Sequence, residues 1–352
     1  MGSCTLSSGG VCVILLALAC CLTCACGAVK ALYVLGDSQA DVGNNNYLPQ
    51  SVLKANFPHN GIDYPGGKPT GRFSNGYNFV DLVARSLGVP SPPPYRSIRS
   101  NELNSSVYLK SVNFASGGAG VSNLTNMGQC ISFDEQIERD YYRVHEVLEE
   151  QLGMREAKAH LAKSLFVIAI GGNDIINHVL FSPVSELLRS RDEIVTELGE
   201  TLKRQLQTLY DRGMRRLFFV GAAPLGCCPL IRQLSPTKEC DAQANYMSTR
   251  YNDAAIVLLR DMSETHPDFT YSFFDTFTAL LQSIRDPEAH GYKEVKAACC
   301  GLGDNNAMFL CSPASLYCEN RTSYMFWDVV HPTQITVEKL MKIAFDGSAP
   351  LE

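Results

Sequence analysis

The sequence of 352 residues has no stretch in which lysine and arginine dominate. Its 30 basic residues are outnumbered by 36 acidic ones, and the net charge of −6 is scattered along the chain. Proteins that bind nucleic acid usually concentrate Lys and Arg where these residues can follow phosphates. We therefore expect no nucleic-acid partner. The chain also has no internal repeat and no low-complexity tract, so nothing in its organisation requires a second domain.

Long apolar runs are missing too, except for one at the amino terminus. Residues 11–22 carry no charge, and small residues follow around Gly27. This run is shorter than the ~20 apolar residues that span a bilayer, and it has the length of a signal-peptide core. We expect residues 1–27 to be a signal peptide and residues 28–352 to form one domain. The protein is then secreted and extracellular, with no stable membrane span.

The cysteines agree with secretion. Six of the 14 lie in the expected signal peptide, and eight remain in the mature chain. These eight are Cys130, Cys227, Cys228, Cys240, Cys299, Cys300, Cys311 and Cys318. Their even number favours a set of disulfides, whereas the adjacent Cys-Cys pairs are a poor match to the spacing of zinc sites. We predict disulfides without a particular pairing and no metal site. Three Asn-x-Ser/Thr sequons, at Asn104, Asn123 and Asn320, are predicted glycosylation sites.

Five short, continuous apolar runs are typical of buried parallel strands. They are residues 31–35, 111–115, 165–170, 216–220 and 270–274. Helical periodicities lie between several of them, at 194–209 before Gly213 and at 133–148 before Gly153. This alternation predicts an α/β fold with a parallel sheet covered on both faces. Residues 45–94, with a short helix near 77–87, and the Cys-rich residues 297–318 are predicted excursions that contribute walls to a pocket.

Polar or glycine-rich blocks follow three of these strands. They are residues 36–44, which include Ser38, residues 113–120 and residues 171–174. A fourth block near the carboxyl terminus holds Asp328 and His331. Open α/β sheets bind ligands at the carboxyl ends of their strands, so these blocks can meet at one site. Each block alone also has an ordinary interpretation as a turn.

The residue types in these blocks suit nucleophilic catalysis. A serine hydroxyl is a weak nucleophile until an imidazole takes its proton, and a carboxylate fixes the imidazole tautomer. The spacing of three residues lets one loop deliver both Asp328 and His331. The alternative is a helix entry at His331, with Pro332 as the first helical residue and Asp328 as a cap.

Four blocks in this order resemble the GDSL subgroup of the SGNH hydrolases, in particular the secreted plant-type GDSL esterases/lipases. The resemblance rests on Gly-Asp-Ser-x-x-Asp-x-Gly-Asn, Asn-Phe-Ala-Ser-Gly-Gly-Ala-Gly, Gly-Gly-Asn-Asp and Phe-Trp-Asp-x-x-His-Pro-Thr. It covers nearly the whole mature chain. It implies a three-layer α/β/α sandwich with a mainly parallel five-stranded sheet of the flavodoxin-like type.

The resemblance also implies the roles of individual residues. Ser38 is the expected nucleophile, His331 the general base and later acid, and Asp328 the residue that orients His331. The oxyanion is expected to bind the Ser38 N–H, Gly118 and Asn173, although a shift by one residue to Gly117 stays open. Asp41 and Asn44 are expected to shape the first turn.

The predicted function is that of a secreted serine hydrolase that cleaves carboxylic esters through an acyl-enzyme, without metal or cofactor. The G-x-S-x-G elbow of α/β-hydrolases is absent, as is the H-E-x-x-H motif of metallohydrolases. One alternative is an acyltransferase that uses the same acyl-enzyme, and another is a catalytically silent binding protein. The substrate is a small-molecule or polymeric ester of undetermined acyl and alcohol parts, and the oligomeric state is open.

Overall fold

The computed structural model describes residues 29–98, 105–181 and 189–346. The expected signal peptide at 1–27 and the sequon at Asn104 lie outside these residues. A five-stranded sheet forms the centre of the molecule, and all of its strand pairs are parallel. Its strands are β1 (Leu32–Gly36), β2 (Ser111–Asn113), β3 (Leu165–Ala169), β4 (Arg216–Val220) and β5 (Thr270–Phe274).

The strand order is β2-β1-β3-β4-β5, which is the order of flavodoxin-like sheets. The helices follow in chain order. They are α1 (Phe79–Ser86), α2 (Ser105–Tyr108), α3 (Phe133–Glu135), α4 (Tyr142–Leu152), α5 (Met154–Ala162), α6 (Gly172–Leu180), α7 (Arg191–Asp211), α8 (Pro229–Leu234), α9 (Ala242–Thr265), α10 (Thr276–Arg285) and α11 (Gln334–Asp346).

Both faces of the sheet are buried, as the continuous apolar strands predict. Successive residues of β1 point to opposite sides: Tyr33 and Leu35 join one core with α4, α5, α7 and α9. Leu32 and Val34 join a second core with α1, α10 and α11. The predicted three-layer α/β/α sandwich is therefore confirmed.

The two periodic segments of the sequence form helices, but one of them is not a uniform α-helix. The segment predicted at 194–209 forms α7, whose start is stabilised by a capping box between Ser190 and Glu193. The segment predicted at 133–148 contains a π-helical stretch, Gln136–Tyr141, between α3 and α4. In this stretch, the side-chain amide of Gln136 accepts a hydrogen bond from the N–H of Gly36 at 2.8 Å and donates one to the carbonyl oxygen of Gly36 at 2.9 Å. An irregular helix thus anchors the end of β1.

Two small sheets lie near the carboxyl terminus. They consist of β6 (Glu294–Ala298) with β9 (Tyr324–Phe326) and β7 (Cys300–Gly301) with β8 (Leu316–Tyr317). Three disulfides, Cys227–Cys240, Cys299–Cys318 and Cys300–Cys311, confirm the prediction of disulfides.

The eight cysteines that follow residue 27 are not all paired, which corrects the expectation drawn from their even number. Cys130 and Cys228 are free. Cys228 is buried among apolar side chains, whereas the Cys130 thiol points to the carbonyl oxygens of Thr125 and Asn126. The two thiols therefore belong to different parts of the fold.

Candidate active site

The turn after β1 carries Ser38 to the carboxyl edge of the sheet. Gly36 has a φ of 137°, and a side chain there would collide with the carbonyl oxygen of Ala169 on β3. The next N–H, that of Asp37, donates to the same carbonyl at 3.0 Å. Glycine thus lets β1 turn while it stays against its neighbour, and Ser38 follows directly.

Asp41 ties this turn to the glycine-rich loop after β2. Its Oδ1 accepts from the N–H groups of Gly43 and Asn44, both at 2.7 Å, and its Oδ2 accepts from Gly117 at 3.0 Å. The Asn44 amide donates to the carbonyl of Ala115 at 2.8 Å. Burial raises the pKa of Asp41 to about 6, although these N–H groups oppose the shift. Both residues have the contacts expected of residues that shape the turn.

Asp328 and His331 lie in a tight loop between β9 and α11. The Trp327 N–H donates to the carbonyl of His331 at 2.7 Å and closes the loop. Inside it, Oδ1 of Asp328 accepts from the N–H of Val330 at 3.0 Å and from that of His331 at 2.8 Å. Helix α11 begins at Gln334, so Pro332 is not its first residue. The alternative of a helix entry at His331 is therefore wrong.

A continuous chain of hydrogen bonds joins Asp328, His331 and Ser38. Nδ1 of His331 lies 2.8 Å from both carboxylate oxygens of Asp328, and Nε2 lies 2.7 Å from Oγ of Ser38. At most 9 % of any of these three residues is exposed. Burial alone would raise the pKa of Asp328, but the charge and hydrogen bonds of His331 outweigh it and lower that pKa. The carboxylate is thus kept ionised beside the imidazole.

Phe73 is a neighbour of His331 that was not predicted from the sequence. Its ring centroid lies 5.0 Å from that of the imidazole, with the two planes tilted by 33°. It belongs to the predicted excursion at 45–94, which also bonds to α11 through the side chain of Asn75 and the N–H of Gln334. The sequence signal that could have identified Phe73 is that it is the single aromatic residue within Gly71–Gly76. The excursion therefore covers one side of the imidazole ring.

The three expected oxyanion donors differ from Gly117 in the hydrogen bonds that they already make. The amide of Asn173, at the start of α6, uses one hydrogen on the carbonyl of Ala119 at 2.9 Å and has a second hydrogen to donate. Within the described ranges, no acceptor is found for the backbone N–H of Ser38 or of Gly118. By contrast, the N–H of Gly117 donates a hydrogen bond to Oδ2 of Asp41 at 3.0 Å. This difference favours Gly118 over Gly117 as an oxyanion donor.

Asp174 holds the loop after β2 against α6. Its carboxylate accepts from the N–H groups of Val121 and Ser122 at 2.8 and 3.0 Å and from Oγ1 of Thr125 at 2.6 Å. Because Asn173 precedes it on α6, these bonds also fix the distance between Asn173 and the segment that contains Gly118. Residues 171–174 are thus the first turn of a helix rather than an isolated turn.

Asp37 is a buried carboxyl group beside Ser38, and it leads to a prediction about stability. Burial raises its pKa from 3.8 to about 7, against the opposing effect of the Gln39 N–H. A carboxyl group whose pKa is higher in the folded state keeps its proton there while the unfolded chain has lost it, so its ionisation lowers stability as pH rises from about 4 to 7. Asp37→Asn cannot ionise. Its free energy of unfolding, relative to that of the native protein, should increase by roughly 2–4 kcal/mol over this range.

Urea unfolding of both proteins at pH 4 to 7.5 measures this difference. Asp261→Asn, at an exposed position on α9, is the matched control and should show no such trend. A difference between Asp37→Asn and the native protein that stays constant with pH would contradict the prediction.

An apolar cavity of about 100 Å³ opens beside Ser38. Its lining begins at Ser38 and Asn173 and continues to residues of α10 and α11. Among the described residues that line it, Phe79 comes from the 45–94 excursion and none comes from 297–318. The expected contribution to the walls is therefore confirmed for the first excursion and wrong for the Cys-rich segment. Most of the walls come from the ends of β3, β4 and β5 and from the C-terminal segment.

Other features bear on ligands and membranes. In the ranges 29–98, 105–181 and 189–346, no group of three His, Cys, Asp or Glu side chains could hold a metal ion. None of the helices in these ranges is long and apolar enough to cross a membrane. Asn123 and Asn320 are exposed, and their glycosylation stays a prediction.

A flavodoxin-like sheet with a hydrogen-bonded Ser-His-Asp set at its carboxyl edge is the architecture of the SGNH class of hydrolases. Within that class, the profile of the GDSL-like lipase/acylhydrolase family matches residues 32–342. The chain belongs to this family and is a carboxylic ester hydrolase.

Several known proteins are similar to this chain. One GDSL esterase/lipase of Arabidopsis thaliana is 40% identical over 325 residues, which cover 90% of this chain and 85% of that protein. A second from the same plant is 37% identical, with 90% of each chain covered. Among solved structures, a catalytic mutant of an acetylxylan esterase from Geobacillus stearothermophilus is 14% identical, with a TM-score of 0.43, over 93% of this chain and 96% of that one.

Proposed function

We propose that this protein is a secreted serine esterase that forms an acyl-enzyme on Ser38. His331 is the general base and later the general acid, and Asp328 orients it. The observation that carries this proposal is the 2.7 Å separation between Nε2 of His331 and Oγ of Ser38, with Asp328 2.8 Å from the other ring nitrogen. A hydrogen bond from Nδ1–H to Asp328 leaves Nε2 unprotonated, which is the form that can accept the serine proton.

The reaction then proceeds in two halves. Oγ of Ser38 attacks the ester carbonyl while its proton moves to Nε2 of His331, and a tetrahedral oxyanion forms. When the intermediate collapses, the imidazolium gives this proton to the leaving alcohol and an ester bond to Ser38 remains. A water molecule next loses a proton to His331 and attacks the acyl-enzyme. The carboxylic acid leaves, and the proton returns to Ser38.

The oxyanion is assigned to the N–H groups of Ser38 and Gly118 and to the amide of Asn173. Donors that are positioned in advance stabilise the tetrahedral intermediate more than the flat ester, and the loss of one such donor costs about 3–4 kcal/mol in other serine hydrolases. The free N–H groups of Ser38 and Gly118 support this assignment, as does the spare hydrogen of Asn173. Asp174 and Asp41 would hold the three donors in fixed relative positions through their hydrogen bonds to the loop after β2.

Secretion is supported by the covalent chemistry of the chain. Three disulfides are typical of a protein that folds in an oxidising compartment. Residues 1–27 have the composition of a signal peptide, and the sequons at Asn123 and Asn320 are exposed. The mature protein would then act outside the cell on small-molecule or polymeric esters.

An organophosphonate probe tests the acyl-enzyme directly. We expect one phosphonyl group per protein, with the fluoride of a fluorophosphonate as leaving group, and peptide mapping should locate it on Ser38. The Ser38→Ala variant should take up none. A folded protein that cleaves esters but shows no adduct, or an adduct on another residue, would contradict the proposed nucleophile.

A further inference from the structure

The last residue of β1, Gly36, lies beyond the end of the neighbouring strand β2. The register between the two strands stops where Val34 faces Asn113, two residues before Gly36. Gly36 is buried, and buried backbone groups need hydrogen-bond partners. Gln136 provides one for each group, because its Oε1 accepts from the Gly36 N–H at 2.8 Å and its Nε2 donates to the Gly36 carbonyl at 2.9 Å. One glutamine side chain thus takes the place of a further residue of β2.

Gln136 reaches this position from an irregular helix. It is the first residue of the π-helical stretch that directly follows α3, and no part of it is exposed. It lies 100 positions from Gly36 in the sequence, so the contact depends on the tertiary fold. Single-turn π-helical segments are rare and occur frequently at functional sites. The unusual helix geometry is therefore found at the residue that contacts the catalytic turn.

The same amide is also bonded to the loop after β2. Nε2 of Gln136 donates a second bond, to the carbonyl of Ile131 at 3.0 Å. The N–H of Ile131 donates to Oγ of Ser116 at 2.9 Å, and the N–H of Ser116 donates to the carbonyl of Gly36 at 3.0 Å. The four residues Gly36, Gln136, Ile131 and Ser116 thus form a closed hydrogen-bonded ring. This ring joins the end of β1 to the loop after β2.

We infer that Gln136 is a positioning residue, which sets the distance between the N–H groups of Ser38 and Gly118. The inference rests on the proposed function, in which both N–H groups bind the oxyanion. Ser38 lies two positions after Gly36 of the ring. Gly118 lies two positions after Ser116 of the ring. Gln136 is buried and does not line the cavity beside Ser38, so it acts on the reaction only through these two segments.

A small movement of these donors should have a large effect on the rate. Oxyanion donors work because they are placed in advance at about 3 Å from the position that the oxyanion will occupy. A displacement of about 1 Å in an active site can cost on the order of 100-fold in rate. An apolar side chain in place of the Gln136 amide would leave buried N–H and carbonyl groups unpaired, and the turn would move to find other partners.

Gln136→Met removes the three hydrogen bonds of the amide and keeps the side chain at a similar length. For a saturating short-chain ester, kcat should fall about 30- to 100-fold, with KM within about threefold of native. A trifluoromethyl ketone with a propyl chain reports on the donors separately. Oγ of Ser38 adds to its carbonyl carbon, the serine proton passes to His331, and the oxyanion that forms faces the donors. Its Ki should rise by the same factor by which kcat falls.

Asn252 offers a matched control, because its amide makes the same pair of bonds after the end of β4. It accepts from the N–H of Ala222 at 2.8 Å and donates to the carbonyl of Ala222 at 2.9 Å. Asn252 is also buried, and none of the three assigned oxyanion donors lies on that segment. Asn252→Leu should therefore lower the melting temperature, as Gln136→Met does, but keep kcat and Ki within about threefold of native.

Ser116→Ala interrupts the ring on its other side. It leaves the bonds between Gln136 and Gly36 in place and removes Oγ, which accepts from the N–H of Ile131. We expect kcat to fall and Ki to rise, each by about fivefold to tenfold, which is the typical effect of one lost hydrogen bond. If Gln136→Met does not fold, which thermal melting reveals, Ser116→Ala decides by the same two measurements.

The outcomes separate this inference from the proposed function. If the native protein cleaves no ester and the phosphonate does not label Ser38, the proposed function fails. If esters are cleaved through Ser38 but folded Gln136→Met keeps kcat and Ki within threefold of native, only the role of Gln136 is refuted. A fall in kcat without a matching rise in Ki would also refute it, because the donors would then be in place. Equal losses in Asn252→Leu would point to a general loosening of the sheet and contradict it as well.

Discussion

Ser38→Ala should lower kcat for a chromogenic ester by at least about 10⁴-fold, because no other atom in the Ser-His-Asp set can form the acyl bond. His331→Ala should cause a loss of the same size, since its Nε2 is 2.7 Å from Oγ of Ser38 and no other base is bonded to that hydroxyl in the described part of the chain. Steady-state kinetics with a saturating short-chain ester measure both effects. The residual rate reflects binding and the oxyanion donors alone.

The double variant sharpens this test. Ser38 and His331 act in one proton transfer, so Ser38→Ala combined with His331→Ala should be no slower than either single variant. Ser86→Ala, at an exposed position on α1, is the matched control and should keep native activity. If the losses of the two single changes multiply in the double variant, the residues act independently and the proposed mechanism is wrong.

Asp328→Asn should lower kcat by about 10³–10⁴-fold and change KM little. The side chain keeps its shape, but its amide group presents N–H hydrogens where the carboxylate accepted the Nδ1 hydrogen of His331. The ring then favours the tautomer that is protonated on Nε2, and Nε2 can no longer accept the proton of Ser38. The loss of the negative charge also removes the stabilisation of the imidazolium that forms during attack.

The same kinetic assay checks this expectation, together with a thermal melt that shows whether the loop is intact. Asp261→Asn on α9 serves as the control for the change of charge. A loss smaller than about tenfold in folded Asp328→Asn would mean that the carboxylate has little part in catalysis.

The secondary structure around the site was predictable because its signals are local. Strands β4 and β5 have the predicted bounds, and β3 ends one residue earlier than predicted. Strand β3 and the middle of β4 are buried on both faces, so continuous apolar runs identify them without knowledge of their neighbours. The ends of α7 were also close to prediction, since capping residues and periodicity act within a few positions.

Features that depend on contacts between distant segments were not predictable in the same way. The pairing of the cysteines depends on which loops meet, and Cys130 and Cys228 find no partner. The position of Phe73 on the imidazole depends on how the 45–94 excursion folds back. The apolar cavity is bounded by strand ends and by two helices that are far apart in sequence, and no local pattern distinguishes its lining from ordinary core.

The sequence by itself determined the fold class and the chemical groups available to the protein, because both follow from short-range patterns and from the order of the blocks. Only the tertiary structure decided that Ser38 and His331, 293 positions apart, lie 2.7 Å from each other. It also decided that Gly117 is occupied by Asp41 while the N–H of Gly118 is free, and that an apolar cavity begins at Ser38. Such distances result from the packing of many side chains together. Each contact is weak and joins residues that are distant in sequence, so no local sequence pattern predicts it.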